Sequence, residues 1–346
     1  MHNIRRYLLA PAALLYAAGI FVRNRLFDFG VYTAHKAAVP VISIGNITMG
    51  GTGKTPLVDF VVKHYNARGL KTAILSRGYK RNSRGVQLVS DGRQVLLGSR
   101  EAGDECAMLA RNNPNTIVIV AEKRKKGTEY IAEKFAGRLP DVIILDDGYQ
   151  HRQLCRDLDI VVINSRAPFL DDRLIPAGGL REPVKNLDRA DLIILSKMTD
   201  PQQSARLEEE LCTTGKPLVK TSMRAGKPVL FAGPDNPEPK KVIGVAGIGQ
   251  PESFVDSLQT SGMEVVSHAF FPDHADFPLK SIKSIASKAL RENLSIVTTE
   301  KDYFRVRANG SILEALSRVP CFYLPIETTI IEGQELFEQM LDQVVA

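Results

Sequence analysis

The chain has 346 residues, of which 44% are hydrophobic and 24% charged. This is an ordinary globular composition that excludes a disordered chain and a collagen-like fibre. The net charge of +6 is carried by basic residues that form no long stripe and accompany no aromatic stacking motif, so no nucleic-acid partner is expected; an anionic membrane or an anionic substrate stays open.

In chain order, the first feature is an apolar run from Tyr7 to Val22, set between Arg5-Arg6 and Arg23 and Arg25. It is shorter than the roughly 20 residues that usually span a bilayer. It is open to three readings: a secretory signal, a helix lying on or dipping into a membrane with its arginines at the headgroups, or the buried first helix of a soluble domain. The membrane-associated helix is preferred, and the flanking arginines favour the cytoplasmic face.

Beyond it, short apolar runs alternate with helical stretches. Strands are predicted at Val41–Ile44, Thr72–Leu75, Thr116–Ala121, Val142–Leu145, Ile160–Ile163 and Leu192–Leu195, and a helix at Pro56–Ala67. The strand runs are continuously apolar rather than alternating, as in strands buried on both faces of a parallel sheet between helix layers. A breaker cluster around Gly233-Pro-Asp-Asn-Pro-Glu-Pro marks a boundary near 226–240. A second α/β series follows, with strands at 242–247, Glu264–Ala269 and Ser295–Thr298 and helices at Pro251–Ser261, Ser281–Glu292 and Gln334–Val345. Cys106, Cys155, Cys212 and Cys321 form no CxxC pair, which argues against a disulfide framework or zinc site and fits small buried hydrophobes.

The most specific signal is Gly50-Gly51-Thr52-Gly53-Lys54-Thr55, between a predicted strand and a predicted helix. Such a loop wraps phosphates in backbone N–H groups at a helix N-terminus. Thr48 stands where the motif usually has its first glycine, so residues 48–55, Met49 included, are the expected nucleotide contacts. Lys54 should reach the β- and γ-phosphates of ATP and the Thr55 hydroxyl should meet Mg²⁺. Asp146-Asp147, directly after an apolar strand, suits the acidic partner of that metal.

Three weaker clusters are Glu101-Ala-Gly-Asp104-Glu105, the segment from Ile175 to Pro183 with Arg181-Glu182, and Phe271-Pro-Asp-His274-Ala-Asp-Phe277. Taken with Leu75-Ser-Arg-Gly-Tyr79, Leu145-Asp-Asp-Gly-Tyr-Gln-His-Arg152 and Thr299-Glu-Lys-Asp302, they make the chain resemble the tetraacyldisaccharide 4'-kinase family. The resemblance runs from the apolar start to about residue 302.

It implies an ATP-dependent kinase that phosphorylates the 4'-hydroxyl of tetraacyldisaccharide 1-phosphate to give lipid IVA, in lipid A biosynthesis. The work would be done at the cytoplasmic face of the bacterial inner membrane, with the lipid as substrate, the membrane surface as partner and no obligate protein partner. It further implies Asp104 as base with His274 orienting it, and Arg181 and Glu182 lining the nucleotide site. Arg77, Tyr79, Arg124 and His151 would be substrate or phosphate contacts. The expected organisation is a membrane-associated helix at 1–29, a P-loop kinase domain at 30–226 and a smaller α/β domain at 227–346. A guanine-nucleotide switch would read its base through N-K-x-D, whereas Ser196-Lys197-Met198-Thr199 lacks both the Asn and the Asp. An ATPase driven by a partner or membrane, without a sugar acceptor, is the other alternative.

Overall fold

The computed structural model describes residues 8–346 apart from Pro168, Thr199, Asp200, Asn236, Pro237, Gln250 and His274, and within 201–203 the backbone alone. The elements begin with α1 (Ala10–Asp28), β1 (Val41–Gly45), α2 (Lys54–Ala67), β2 (Thr72–Ser76), β3 (Gln87–Asp91), α3 (Ser99–Ala102), α4 (Asp104–Asn112), β4 (Ile117–Val120) and α5 (Arg124–Lys134). They continue with β5 (Val142–Asp146), β6 (Leu158–Asn164), β7 (Leu192–Ser196), α6 (Pro201–Cys212), β8 (Leu218–Ala225) and β9 (Val229–Ala232). Then come β10 (Lys241–Ala246), α7 (Pro251–Thr260), β11 (Glu264–Phe270), α8 (Leu279–Arg291), β12 (Ser295–Thr299), α9 (Glu300–Arg307), α10 (Gly310–Leu316), β13 (Cys321–Leu324), β14 (Ile326–Glu332) and α11 (Gln334–Val344).

Among the described residues, nine strands form one sheet in the order β14-β8-β7-β6-β1-β5-β2-β4-β3. Every pairing from β8 through to β4 is parallel, and the edge strands β14 and β3 are antiparallel. The continuous apolar runs produce this arrangement because each strand meets a helix layer on both sides. Ile42 and Ile44 pack on one face with Leu57, Val61 and Tyr65 of α2, while Val41 points to the other face with Ala73 and Phe135. A second sheet of five strands, β11-β10-β12-β13-β9, carries its own two cores.

The boundary predicted near 226–240 falls where the chain enters the second sheet at Val229. The assignment of all of 227–346 to one unit is corrected at its end, because β14 pairs with β8 in the first sheet. Phe337 and Leu341 of α11 then join the first core beside α2, and the Tyr65 hydroxyl donates to the Leu341 carbonyl at 2.6 Å. The chain crosses between the units twice, at Gly226 and Pro325, and these crossings are hydrogen-bonded side by side at 2.9 Å. Pairwise β register, with Ile326 opposite Ala225, decides this return; a segment of seven residues that is partly exposed carries no such information in its own composition.

α1 exposes most of its apolar residues. Only Ala13, Ile20 and Asn24 of it are buried, while Leu14, Leu15, Phe21 and Val22 are exposed. The reading of α1 as a buried first helix is therefore corrected: its apolar residues encircle it, and the protein covers only one side. That side is bonded to the body of the protein, with the Tyr16 hydroxyl donating to the Arg181 carbonyl at 2.8 Å and Arg152 donating to the Asn24 carbonyl and Asp28. Among the described residues no helix is long and apolar enough to cross a membrane. Of the thiols, Cys106 and Cys321 are buried as expected, whereas Cys212 is exposed.

Candidate active site

The phosphate loop emerges from β1, the centre of the large sheet, and β5 lies directly beside it with Ile44 opposite Asp146. This register delivers Asp146 and Asp147 to the loop's flank, at the carboxyl ends of the strands where ligands of open α/β sheets bind. The approach is close. A Cβ on Gly45 would stand 2.6 Å from the Cβ of Tyr149, so only glycine lets the end of β1 touch the turn after β5. Asp147 itself is left-handed at φ 54°, a conformation uncommon outside glycine, of the kind held at functional sites.

Neighbouring strands brace the loop. Asn46 Nδ2 donates to Thr52 Oγ1 (3.1 Å), and Ser196 Oγ, at the end of β7, donates to the Thr52 carbonyl (2.6 Å). Lys197 Nζ donates to the Gly51 carbonyl at 2.7 Å. The Ser196-Lys197 segment, which lacks the Asn and Asp of a guanine motif, thus holds the loop's backbone. Met49 through Thr55 line a cleft between the two units, whereas Thr48 sits behind it, bridged to Leu180.

Lys54 Nζ stands 3.4 Å from Asp147 Oδ1, and Arg181 NH1 donates to both oxygens of the same carboxylate at 3.0 and 2.8 Å. Burial pushes the Asp147 carboxyl up, but the charges of Lys54 and Arg181 and their hydrogen bonds outweigh it and hold it at about 2. Asp146 is shifted the other way. It is buried, and burial together with the nearby charges of Glu105 and Asp147 raises it against the opposing Lys54 charge and the 2.9 Å hydrogen bond from Ser76 Oγ. Adjacent carboxylates thus differ in character: Asp147 is a firm anion and Asp146 is poised to gain from a nearby cation. Two carboxylates and the Thr55 hydroxyl are hard oxygen donors, a set that fits Mg²⁺.

Arg181 reaches the site because the 175–183 loop pairs with the phosphate loop: its N–H donates to the Ile47 carbonyl (2.7 Å), and that of Met49 to the Gly179 carbonyl (2.6 Å). The expectation that Glu182 lines the nucleotide site is corrected. Glu182 is fully buried, and its carboxylate takes hydrogen bonds from Asn186, Arg189 and Arg23. A buried carboxylate needs such partners, and here they anchor the loop to α1.

Arg77, Tyr79, Arg124 and His151 all line the cleft. Arg77 and Tyr79 are exposed to it. Arg124 is buried and commits its guanidinium to the carbonyls of Ala121 (2.7 Å) and Asp146 (3.2 Å), which makes it a support of the Asp146 backbone. Burial, then the charge of Arg124, depresses His151 to about 4. The unfolded value is 6.5, so between these limits the unfolded chain binds a proton that the folded chain refuses. Stability should therefore fall as pH drops from about 6.5 to about 4. Denaturant titrations of wild type and His151→Gln should show the variant with the shallower loss across that window; parallel curves would disprove the assignment.

Asp104 opens α4 just after Gly103, whose φ is 87° and whose added Cβ would lie 2.8 Å from the Tyr79 carbonyl. It borders a smaller cavity of about 210 Å³ that shares Tyr79 with the main cleft and contains Arg305 of the second unit. Arg305 donates to Asp104 Oδ2 at 3.2 and 2.8 Å. His274, its expected partner, lies outside the described residues. Thr299, Glu300 and Lys301 line the main cleft from the second unit. Ser76, Ser196, Lys197 and Arg305 were not foreseen as site residues; Ser76 and Ser196 end β2 and β7 and Lys197 follows β7 at the same edge of the sheet, a signal available in principle, while Arg305 reads as an ordinary helix arginine.

The main cleft has a volume of about 2880 Å³, well above the ~300–1,000 Å³ of a drug-sized pocket. A parallel sheet with a braced Gly-rich loop, a lysine at the start of the following helix and carboxylates at the neighbouring strand end defines a P-loop-type protein with room for a second, larger ligand. The family profile of tetraacyldisaccharide-1-P 4'-kinases matches residues 5–346. This chain belongs to that family. It is 51% identical over 346 residues to the tetraacyldisaccharide 4'-kinase of Chlorobaculum tepidum, covering 99% of each chain. It is 48% identical over 353 residues to that of Pelodictyon phaeoclathratiforme, covering 100% of this chain and 99% of the relative. A solved structure of LpxK from Aquifex aeolicus in complex with ATP superposes with a TM-score of 0.77 at 32% identity, over 99% of both chains.

Proposed function

We infer that the chain carries out the reaction of its family: it is a tetraacyldisaccharide 4'-kinase, acting in lipid A biosynthesis. The observation that carries the mechanism is the convergence of Lys54, Arg181, Asp146 and Asp147 in a cleft that is also lined by Tyr16, Ile20 and Phe27 of the apolar helix α1.

ATP is the proposed phosphate donor. Its phosphates would lie in the N–H groups of Gly50–Thr55, with Lys54 turning from Asp147 to the β- and γ-phosphates and Arg181 beside them. Thr55, Asp146 and Asp147 would hold Mg²⁺, which when bound neutralises phosphate charge during transfer. Asp104 would take the proton of the sugar 4'-hydroxyl as its oxygen bonds to the γ-phosphorus and the bond to the leaving ADP breaks. His274 would orient Asp104, and Arg77, Tyr79 and His151 would meet the lipid's sugar and phosphate groups. Closure of the two units would exclude water from the transferring phosphate.

The exposed side of α1 supports a seat at the cytoplasmic face of the inner membrane, with Leu14, Leu15 and Phe21 in the lipid and Arg25, stacked near Phe21 and Phe29, at headgroup level. Burying three such side chains is worth at least about 3 kcal/mol, so exchanging all three for serine should weaken binding to anionic vesicles by about 100-fold. Cosedimentation measures this; undiminished binding would remove α1 as the anchor.

The reaction is tested with γ-labelled ATP, Mg²⁺ and tetraacyldisaccharide 1-phosphate in detergent micelles. Labelled lipid is expected. ATP hydrolysis without labelled lipid would leave a nucleotide hydrolase and defeat the kinase reading for this chain.

A further inference from the structure

Arg305 comes from α9 of the second unit, 201 positions after Asp104, yet it bonds that carboxylate through Nε and NH2 at 3.2 and 2.8 Å. Its remaining nitrogen, NH1, donates to the Ala275 carbonyl at 2.7 Å and lies 3.2 Å from Asp302 Oδ1. One guanidinium therefore joins the start of α4, the 271–277 loop and the start of α9. The junction is enclosed: the Arg305 and Asp104 side chains are 9% and 13% exposed and Asp302 is 0% exposed. Asp302 is itself fixed, its Oδ2 accepting from the Gly247 N–H (2.8 Å) and the Thr299 hydroxyl (2.7 Å). One helical turn earlier, Lys301 lies 3.8 Å from Glu105 and 3.3 Å from Asp273. The same face of α9 thus grips both α4 and the 271–277 loop twice, at the i, i+4 spacing that aligns side chains on a helix.

We propose that Arg305 is a positioning residue for the phosphoryl transfer, locking the Asp104 carboxylate and the 271–277 loop into one geometry across the two units. The proposal rests on Asp104 being the base. A carboxylate must aim a lone pair at the hydroxyl it deprotonates, and the guanidinium, by gripping Oδ2 through Nε and NH2, restricts how far the carboxylate can turn. The same guanidinium presents NH1 to the Ala275 carbonyl, so the base and the backbone at Ala275 are set together. A lysine at 305 would keep the charge but, as a point donor on a flexible stem, could not hold the three partners in one plane.

The test is steady-state lipid phosphorylation by the full-length protein carrying Arg305→Ala, Arg305→Lys, Asp104→Asn or Arg307→Ala. Arg305→Ala should lose about 100-fold in kcat with KM for ATP and lipid within about threefold, as expected for a misplaced reacting group. Millimolar guanidinium should restore about tenfold of that loss, since it can re-form the charge-assisted bonds, and should do nothing for Asp104→Asn. Among the described residues Arg307 bonds the neighbouring Tyr303 hydroxyl on the exposed side, and Arg307→Ala should match wild type. Arg305→Lys, which keeps the charge beside buried Asp302, carries the test should the alanine variant not fold, with about a tenfold loss in kcat. Wild-type turnover by Arg305→Lys, or an Arg305→Ala defect confined to KM or deaf to guanidinium, would overturn the proposal. Full turnover by Asp104→Asn would instead remove the base on which it rests, whatever residue 305 does.

Discussion

Asp104→Asn should lower lipid phosphorylation by about 10²–10⁴-fold, the range for losing a general base. The substitution keeps the shape of the side chain and its place at the start of α4, but it removes the capacity to accept a proton and, with the charge, the ion pair to Arg305. Binding of nucleotide should survive, because Met49–Thr55, Arg181 and the Asp146-Asp147 pair are held by other contacts: the strand register of β1 and β5, the 175–183 loop and the Ser196 and Lys197 braces. The measurement is therefore paired: kcat for the labelled lipid, and ATP affinity by titration. A drop in kcat with ATP affinity unchanged is the expected outcome. Loss of both together would mean that residue 104 shapes the nucleotide site, and the assignment of the base would fall.

Lys54→Ala should cost about 10²–10³-fold in kcat, the scale for removing one preorganised donor to developing charge. Here the effect has a second component in the free protein. Among the described residues Lys54 and Arg181 are the cations on Asp147, and with Lys54 gone the carboxyl should rise from its depressed position, less firmly held by Arg181. The expected signature is a lower kcat together with a weaker ATP affinity, unlike Asp104→Asn. Lys54→Arg is a useful companion, since it retains charge but places a broader donor between Gly53 and Asp147; recovery of full turnover would show that charge alone suffices at this position.

Much of this was legible in the residues themselves. The continuous apolar runs at Val41, Thr72, Val142, Ile160 and Leu192 demanded a sheet covered on both faces, because backbone flanked by apolar side chains on both sides has nowhere else to go. The Gly-rich loop between Val41–Ile44 and the helix after it marked the end of that sheet proposed to take phosphate, since the chemistry of wrapping phosphates in N–H groups restricts the residue types allowed. Asp146-Asp147 followed from the same geometry.

Other features depended on contacts between residues far apart in the chain. β14 and α11 return to the first sheet through pairing with β8, a long-range register that local composition does not encode. Glu182 and Arg124 carry charges that the family resemblance places in the site; Glu182 is enclosed, and Arg124, though it borders the cleft, is buried and spends its guanidinium on carbonyls, because an enclosed charge must spend its hydrogen bonds on whatever surrounds it. Arg305 is the converse case, an unremarkable helix residue made part of the site by the approach of the second unit. The chain's local chemistry determined which end of the sheet carries the Gly-rich loop and its neighbouring carboxylates, since those depend on short-range spacing. Which charged groups reach the cleft, and which are tied up behind it, was decided only by tertiary packing, because burial and hydrogen-bond partners are properties of the folded whole.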